Sequence, residues 1–172
     1  MKTVVITGAD GFIGSHLVRY FTERDIAVYA IVMKNSCTRH RIQNYPNTTI
    51  IEADGSDYFN IAKRLPYAPM AMIHLAWSGV SPEARNDIAV QLQNIDLCAT
   101  AARLAAEISA ERFILPGSTM EYAYSGGLIN GKSCPSPMNT YGAAKVACRY
   151  LCAAICQERH VSFIYAVISG IY

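Results

Sequence analysis

Tyr141-Gly-Ala-Ala-Lys145 sets a phenol and an ammonium about one helical turn apart on a single face. A cation in that place lowers the phenol's pKa towards neutrality, which a proton-transferring tyrosine requires. Ser118 stands upstream, just past the apolar run Arg112–Leu115, where a hydroxyl could bond the same reacting oxygen. A third group lies at the start of the chain. In Val4-Val5-Ile6-Thr7-Gly8-Ala9-Asp10-Gly11-Phe12-Ile13-Gly14, a glycine recurs at every third position between a β-branched run and an apolar-periodic segment. Such a strand, turn and helix bring backbone N–H groups and the positive end of a helix dipole to a pyrophosphate, with no Cβ at Gly8, Gly11 or Gly14 to obstruct it. Each pattern is common by itself; an ordinary helix pair and a plain tight turn explain them equally well.

Their order becomes informative through the elements that must position them. Short apolar runs alternate with helical patterns, as in a parallel sheet covered on both faces. After the first strand and helix, Ala27–Met33 reads as strand two, Thr48–Ala53 as strand three and Met70–Leu75 as strand four. A helical pattern from Pro82 to Ser109, with proline in its first turn, leads to strand five at Arg112–Leu115. Asn139–Arg159 is the next helix and Val161–Ile168 the sixth strand. Six strands with their crossovers make a doubly wound α/β fold in three αβα layers, with strand order 3-2-1-4-5-6. The loop after strand five then opens at the carboxyl edge of the sheet, beside the glycine turn.

The chain has 172 residues, 52% hydrophobic and 16% charged, which suits one core and gives no reason for a second domain. A formal net charge of +2 without a basic run argues against nucleic acid or an anionic membrane as partner. No charged and apolar leader pattern and no apolar run of about 18 residues is present, so a cytoplasmic protein is expected. Its six cysteines are then reduced thiols rather than a disulfide framework.

The combination of Thr7-Gly8-Ala9-Asp10-Gly11-Phe12-Ile13-Gly14, Ser118, Tyr141 and Lys145 resembles the extended short-chain dehydrogenase/reductases, the NAD(P)-dependent epimerase/dehydratase group, over essentially the whole chain. The resemblance implies a Rossmann fold. It implies a proton donor or acceptor at Tyr141, a lysine at 145 that also holds the nicotinamide ribose, and a hydroxyl at Ser118 for the substrate oxygen. For the cofactor it implies Gly8, Asp10, Gly11, Phe12, Ile13 and Gly14 in the turn, with Met33, Lys34 and Arg39 after strand two. Asp54 and Gly55 fall near the adenine, and Leu75, Ala76 and Trp77 match the segment after strand four. Asn94 matches the family's helix asparagine. The substrate implied is a nucleotide sugar, the cofactor NADP or NAD, and the assembly a homodimer through the helix of 82–109 and that of 139–159.

Two departures narrow this. NAD-specific members carry a carboxylate at the end of strand two; here Val32-Met33-Lys34-Asn35-Ser36 stands there, with Arg39, His40 and Arg41 following, which favours NADP electrostatically. Nucleotide-sugar dehydratases carry Asp-Glu directly after the active-site threonine, whereas this chain has Thr119-Met120, and methionine transfers no proton. Epimerisation or 4-keto reduction is therefore expected. The family also carries a C-terminal substrate lobe that is not among these residues, so the expectation is a cofactor-binding domain over 1–172, either part of such an enzyme or a dinucleotide-binding module without sugar turnover.

Other patterns are set aside. Gly126–Ser133 spells a Walker A loop, but Pro135 and Pro137 bar the helix that must follow it. Cys148, Cys152 and Cys156 share the face of Tyr141 and Lys145, as buried apolar side chains would, so no metal site is expected. His16, His40 and His160 have no partners at ligand spacing. Pro116-Gly117-Ser118-Thr119-Met120 lacks the second glycine of a hydrolase nucleophile elbow.

Overall fold

A computed structural model describes residues 2–42, 45–81, 83–122 and 128–169. Six parallel strands form one sheet: β1 Thr3–Thr7, β2 Ala27–Val32, β3 Thr48–Glu52, β4 Ala71–His74, β5 Arg112–Ser118 and β6 Ser162–Ile168. Their order is β3-β2-β1-β4-β5-β6, the doubly wound arrangement expected. The helices are α1 Phe12–Thr22, α2 Tyr58–Ile61, α3 Ile88–Glu107 and α4 Thr140–Glu158.

Each face of the sheet has its own core. Val4, Ile6, Val28, Ala30 and Ile73 pack with Val18 of α1 on one side. On the other, Val5, Ile31, Met72, Phe113 and Leu115 meet α2, α3 and α4. Full burial of each large aliphatic or aromatic side chain contributes about 1.5–3 kcal/mol. The seam between α3 and α4 is narrow because its residues are small: Cys98, Ala101, Ala102 and Ala105 face Cys148, Cys152 and Cys156, all buried. The Cys152 thiol donates to the Cys98 carbonyl at 3.5 Å. Burial raises the thiol pKa of Cys152, and that of Cys156 to about 11. Cys37 and Cys134 are exposed, and all six thiols are free. No group of metal-ligating side chains and no helix long and apolar enough to cross a membrane occurs among the described residues.

Three expectations need correction. The helix read from Pro82 begins later: a 3-10 turn covers Ala84–Asn86, and α3 starts where Asp87 accepts from the N–H groups of Ala89 (3.0 Å) and Val90 (3.2 Å). Such a cap contributes about 1 kcal/mol and overrides the proline signal; Pro82 lies outside the described residues. Strand five does not stop at Leu115 but continues to Ser118, pairing Pro116 with Ala166, Gly117 with Val167 and Ser118 with Ile168. Among the described residues, the crossover from β2 to β3 carries only the 3-10 turn Arg39–Arg41, and that from β3 to β4 only the single turn α2 and flanking 3-10 turns, so four α-helices serve the six strands. Part of the Walker-like stretch, Gly126 and Gly127, lies outside the described residues.

Candidate active site

The glycine turn joins β1 to α1 at the carboxyl edge of the sheet. Gly8 adopts φ +61°, and a Cβ there would lie 2.8 Å from the Ala76 nitrogen. At Gly14, a Cβ would come within 2.3 Å of the Gly8 carbonyl oxygen. Both positions therefore exclude a side chain, one by backbone conformation and contact, the other by contact with the preceding strand end. Gly11 caps α1 without a side chain, leaving the first-turn N–H groups open to a ligand.

Two cavities flank the turn and share Gly8, Gly11 and Leu75–Trp77 as a common wall. One, of about 430 Å³, is lined by Phe12, Ile13 and Gly14 together with Ser118, Tyr141 and Lys145. The other, of about 450 Å³, lies over the ends of β2 and β3 and is lined by Asp10, Met33, Ser36, Thr38, Asp54 and Gly55. Thus most of the residues singled out from sequence come together along one crevice.

Three do not reach either cavity. Asn94 is buried and clamps Ser78, donating to its carbonyl at 2.8 Å and accepting from its N–H at 2.9 Å, so it shapes the loop from behind. Lys34 is paired with Asp57 at 2.7 Å and lies 4.0 Å from Asp54; the Asp57 hydrogen bond holds its ammonium pKa above the usual value. Arg39 is ion-paired with Glu52. Two of the cations that favoured NADP in the sequence, Lys34 and Arg39, are thus engaged by carboxylates on and after β3, which no local reading of the β2 end could reveal, while Arg41 donates to the Asp10 carbonyl at 3.4 Å.

The reacting end also differs from expectation. Lys145 is buried, donates to the Pro116 carbonyl at 3.2 Å and holds its Nζ 3.6 Å above the Trp77 ring, but 5.8 Å from the Tyr141 ring. Burial pushes its pKa down, against the opposing pull of Cys98, Cys148 and Glu121. The Tyr141 phenol is raised, not lowered. Burial is the main cause, with Glu121 adding to it; the Ser118 hydroxyl and the Arg85 guanidinium act in the other direction. Arg85 sits 5.8 Å from the Tyr141 ring centroid, with its Nε donating to the Val80 carbonyl at 2.9 Å and its own carbonyl accepting from the Thr140 hydroxyl at 2.8 Å.

Sequence reasoning missed Arg85, and it missed Glu121. That side chain is fully buried and accepts from the Ser118 N–H at 2.5 Å and the Tyr165 hydroxyl at 2.6 Å. Ser118 Oγ in turn accepts from Met120 N at 3.2 Å, a reciprocal cap that fixes the serine. The pattern Ser118-x-x-Glu121 was the available signal. His74, on the wall of the same cavity, is fully buried; desolvation takes its pKa to about 3, and its Nδ1 is hydrogen-bonded to the Thr7 hydroxyl at 2.7 Å.

Residues 4–172 match the profile described as the NAD dependent epimerase/dehydratase family. No curated protein matches the chain by sequence. Among solved structures, UDP-glucose 4-epimerase from Brucella ovis in complex with NAD superposes with a TM-score of 0.86 at 20% identity, over 97% of this chain and 51% of that one. UDP-N-acetylglucosamine 4-epimerase from Methanobrevibacter ruminantium M1, in complex with UDP-N-acetylmuramic acid, gives 0.82 at 24% identity, over 95% and 53%. UDP-glucuronic acid 4-epimerase from Bacillus cereus in complex with NAD gives 0.82 at 21%, over 99% and 57%. The chain spans about half the length of these proteins, and at such identities the likeness establishes the fold.

Proposed function

The chain belongs to the NAD dependent epimerase/dehydratase family, and on that footing we propose that residues 1–172 are the cofactor-binding domain of an oxidoreductase that epimerises or reduces a nucleotide-activated sugar. The observation that carries this is the convergence of Ser118, Tyr141 and Lys145 on one cavity that shares a wall with the glycine turn. A dinucleotide fits the residues present. The open α1 terminus and the side-chain-free Gly8 and Gly14 suit a pyrophosphate, and the paired cavities suit the two nucleoside halves. When bound, the nicotinamide supplies hydride exchange with the sugar carbon.

The chain's own residues then handle the proton and the oxygen. Tyr141, as its phenolate, takes the proton of the sugar hydroxyl as that becomes a carbonyl, and returns it from the phenol on reduction. Ser118 donates to the same oxygen, its Oγ held in place by the bond it accepts from Met120 N. Lys145, held by Trp77 and the Pro116 carbonyl, supplies a donor for the ribose, while the Arg85 guanidinium supplies the positive charge that favours the phenolate. Met120 at the position of the dehydratase acid argues for epimerisation or reduction rather than water elimination. The protein works in the cytoplasm, with its thiols reduced, and pairs with a second copy through α3 and α4.

Tyr141→Phe, in a protein that carries this chain and turns over a nucleotide sugar, should lower kcat by about 10²–10⁴-fold while leaving NADH affinity nearly unchanged. Lys145→Met should weaken both. Retention of most activity by Tyr141→Phe overturns the mechanism.

A further inference from the structure

We propose that Asp10 makes the adenosine end of the crevice select a dinucleotide without a 2′-phosphate. This rests on the cofactor reading above. In this fold the ribose hydroxyls are ordinarily read by an acidic side chain at the end of the second strand, and Val32 and Met33 occupy that place here. The structure supplies a carboxylate from a different element. Asp10 belongs to the glycine turn, is 5% exposed, and lines the adenosine-side cavity beside Met33, Ser36 and Thr38.

Its Oδ2 accepts from the Ser36 hydroxyl and, at 2.8 Å, from the Thr38 hydroxyl. These are the two hydroxyls on that wall that a phosphate would need as donors, and both already serve a carboxylate. Oδ1 accepts from none of the described residues, which leaves it for a ribose hydroxyl.

The charges agree. Asp10 and Asp54 are the charged side chains lining this cavity, and no lysine or arginine among the described residues does so. Lys34 and Arg39 are paired with Asp57 and Glu52. Arg41 donates to the Asp10 carbonyl at 3.4 Å and lines a separate cavity with Arg19 and Tyr45. Within this cavity a dianionic 2′-phosphate would thus meet two carboxylates and no cation among the described residues, whereas a 2′-hydroxyl meets an acceptor.

The test titrates NADH and NADPH against the chain, following energy transfer from Trp77. Wild type should bind NADH at least tenfold more tightly, equivalent to ~1.4 kcal/mol. Asp10→Asn keeps an acceptor for Ser36 and Thr38 but removes the charge, and should cut that ratio to about threefold or less by tightening NADPH. If wild type binds NADPH as tightly as NADH, or if Asp10→Asn weakens both equally and leaves the ratio intact, Asp10 merely ties the loop and the proposal falls. Should Asp10→Asn fail to fold, Ser36→Ala with Thr38→Val keeps the charge and loosens the loop; loss of selectivity in that variant likewise overturns the proposal. If neither dinucleotide binds wild type, the cofactor reading itself fails.

Discussion

Burial alone is the wrong environment for a phenol that must give up a proton, and Tyr141 is raised by burial above all else. Among side-chain charges, the opposing one is Arg85 rather than Lys145. Removing it should disfavour the phenolate further. Arg85→Leu is therefore expected to move the basic pKa of the kcat/KM profile to higher pH, and Arg85→Lys to restore part of the shift; a profile unmoved by either variant would deny Arg85 this role. Nothing in Glu83-Ala84-Arg85-Asn86 announces that task. The arginine reaches Tyr141 because the turn before α3 and the start of α4 meet through Thr140, a contact between residues 55 positions apart in the chain. By contrast, Ser118, Tyr141 and Lys145 were legible because their spacing sits on a strand end and a helix whose periods are visible locally.

The elements were legible where a period or a glycine carried the signal, as in the β1–α1 turn and the strand order, and misread where a capping side chain decided the boundary, as Asp87 does for α3. The junction of β1 and β4 held a further feature that periodicity cannot show. His74 ends β4 opposite Thr7 and is buried as a neutral imidazole, with a pKa of about 3 against an ordinary 6.5. The folded-state value is depressed, so the stability that the neutral ring contributes is complete above about pH 6.5 and is lost as pH falls towards 3. Each pH unit in that window should cost up to ~1.4 kcal/mol from this group. Urea midpoints should fall between about pH 6.5 and 4 in wild type, and His74→Gln should flatten the decline by about one proton. An identical decline in the variant would show that His74 is not its source.

Across the whole molecule the crevice is electrically divided. Asp10 and Asp54 line one cavity and Lys145 the other, with Arg85 near Tyr141. The two long helices have a different character. Tyr150 and Leu151 on α4 and Ile88 and Leu92 on α3 are exposed, between 40% and 63%. Pairing of two copies through these helices would cover them. Light scattering should return twice the chain mass, and Tyr150→Glu should halve it; a strict monomer in wild type removes the proposed dimer. The thiol distribution described for α3 and α4 has a separate consequence. Cys37 and Cys134 stand in water, whereas Cys98, Cys148, Cys152 and Cys156 are sealed in the seam between two helices. A thiol reagent meets the first pair at once and the other four only when the seam opens, so the chain carries an unlabelled stopwatch whose slow hand counts how often α3 and α4 part.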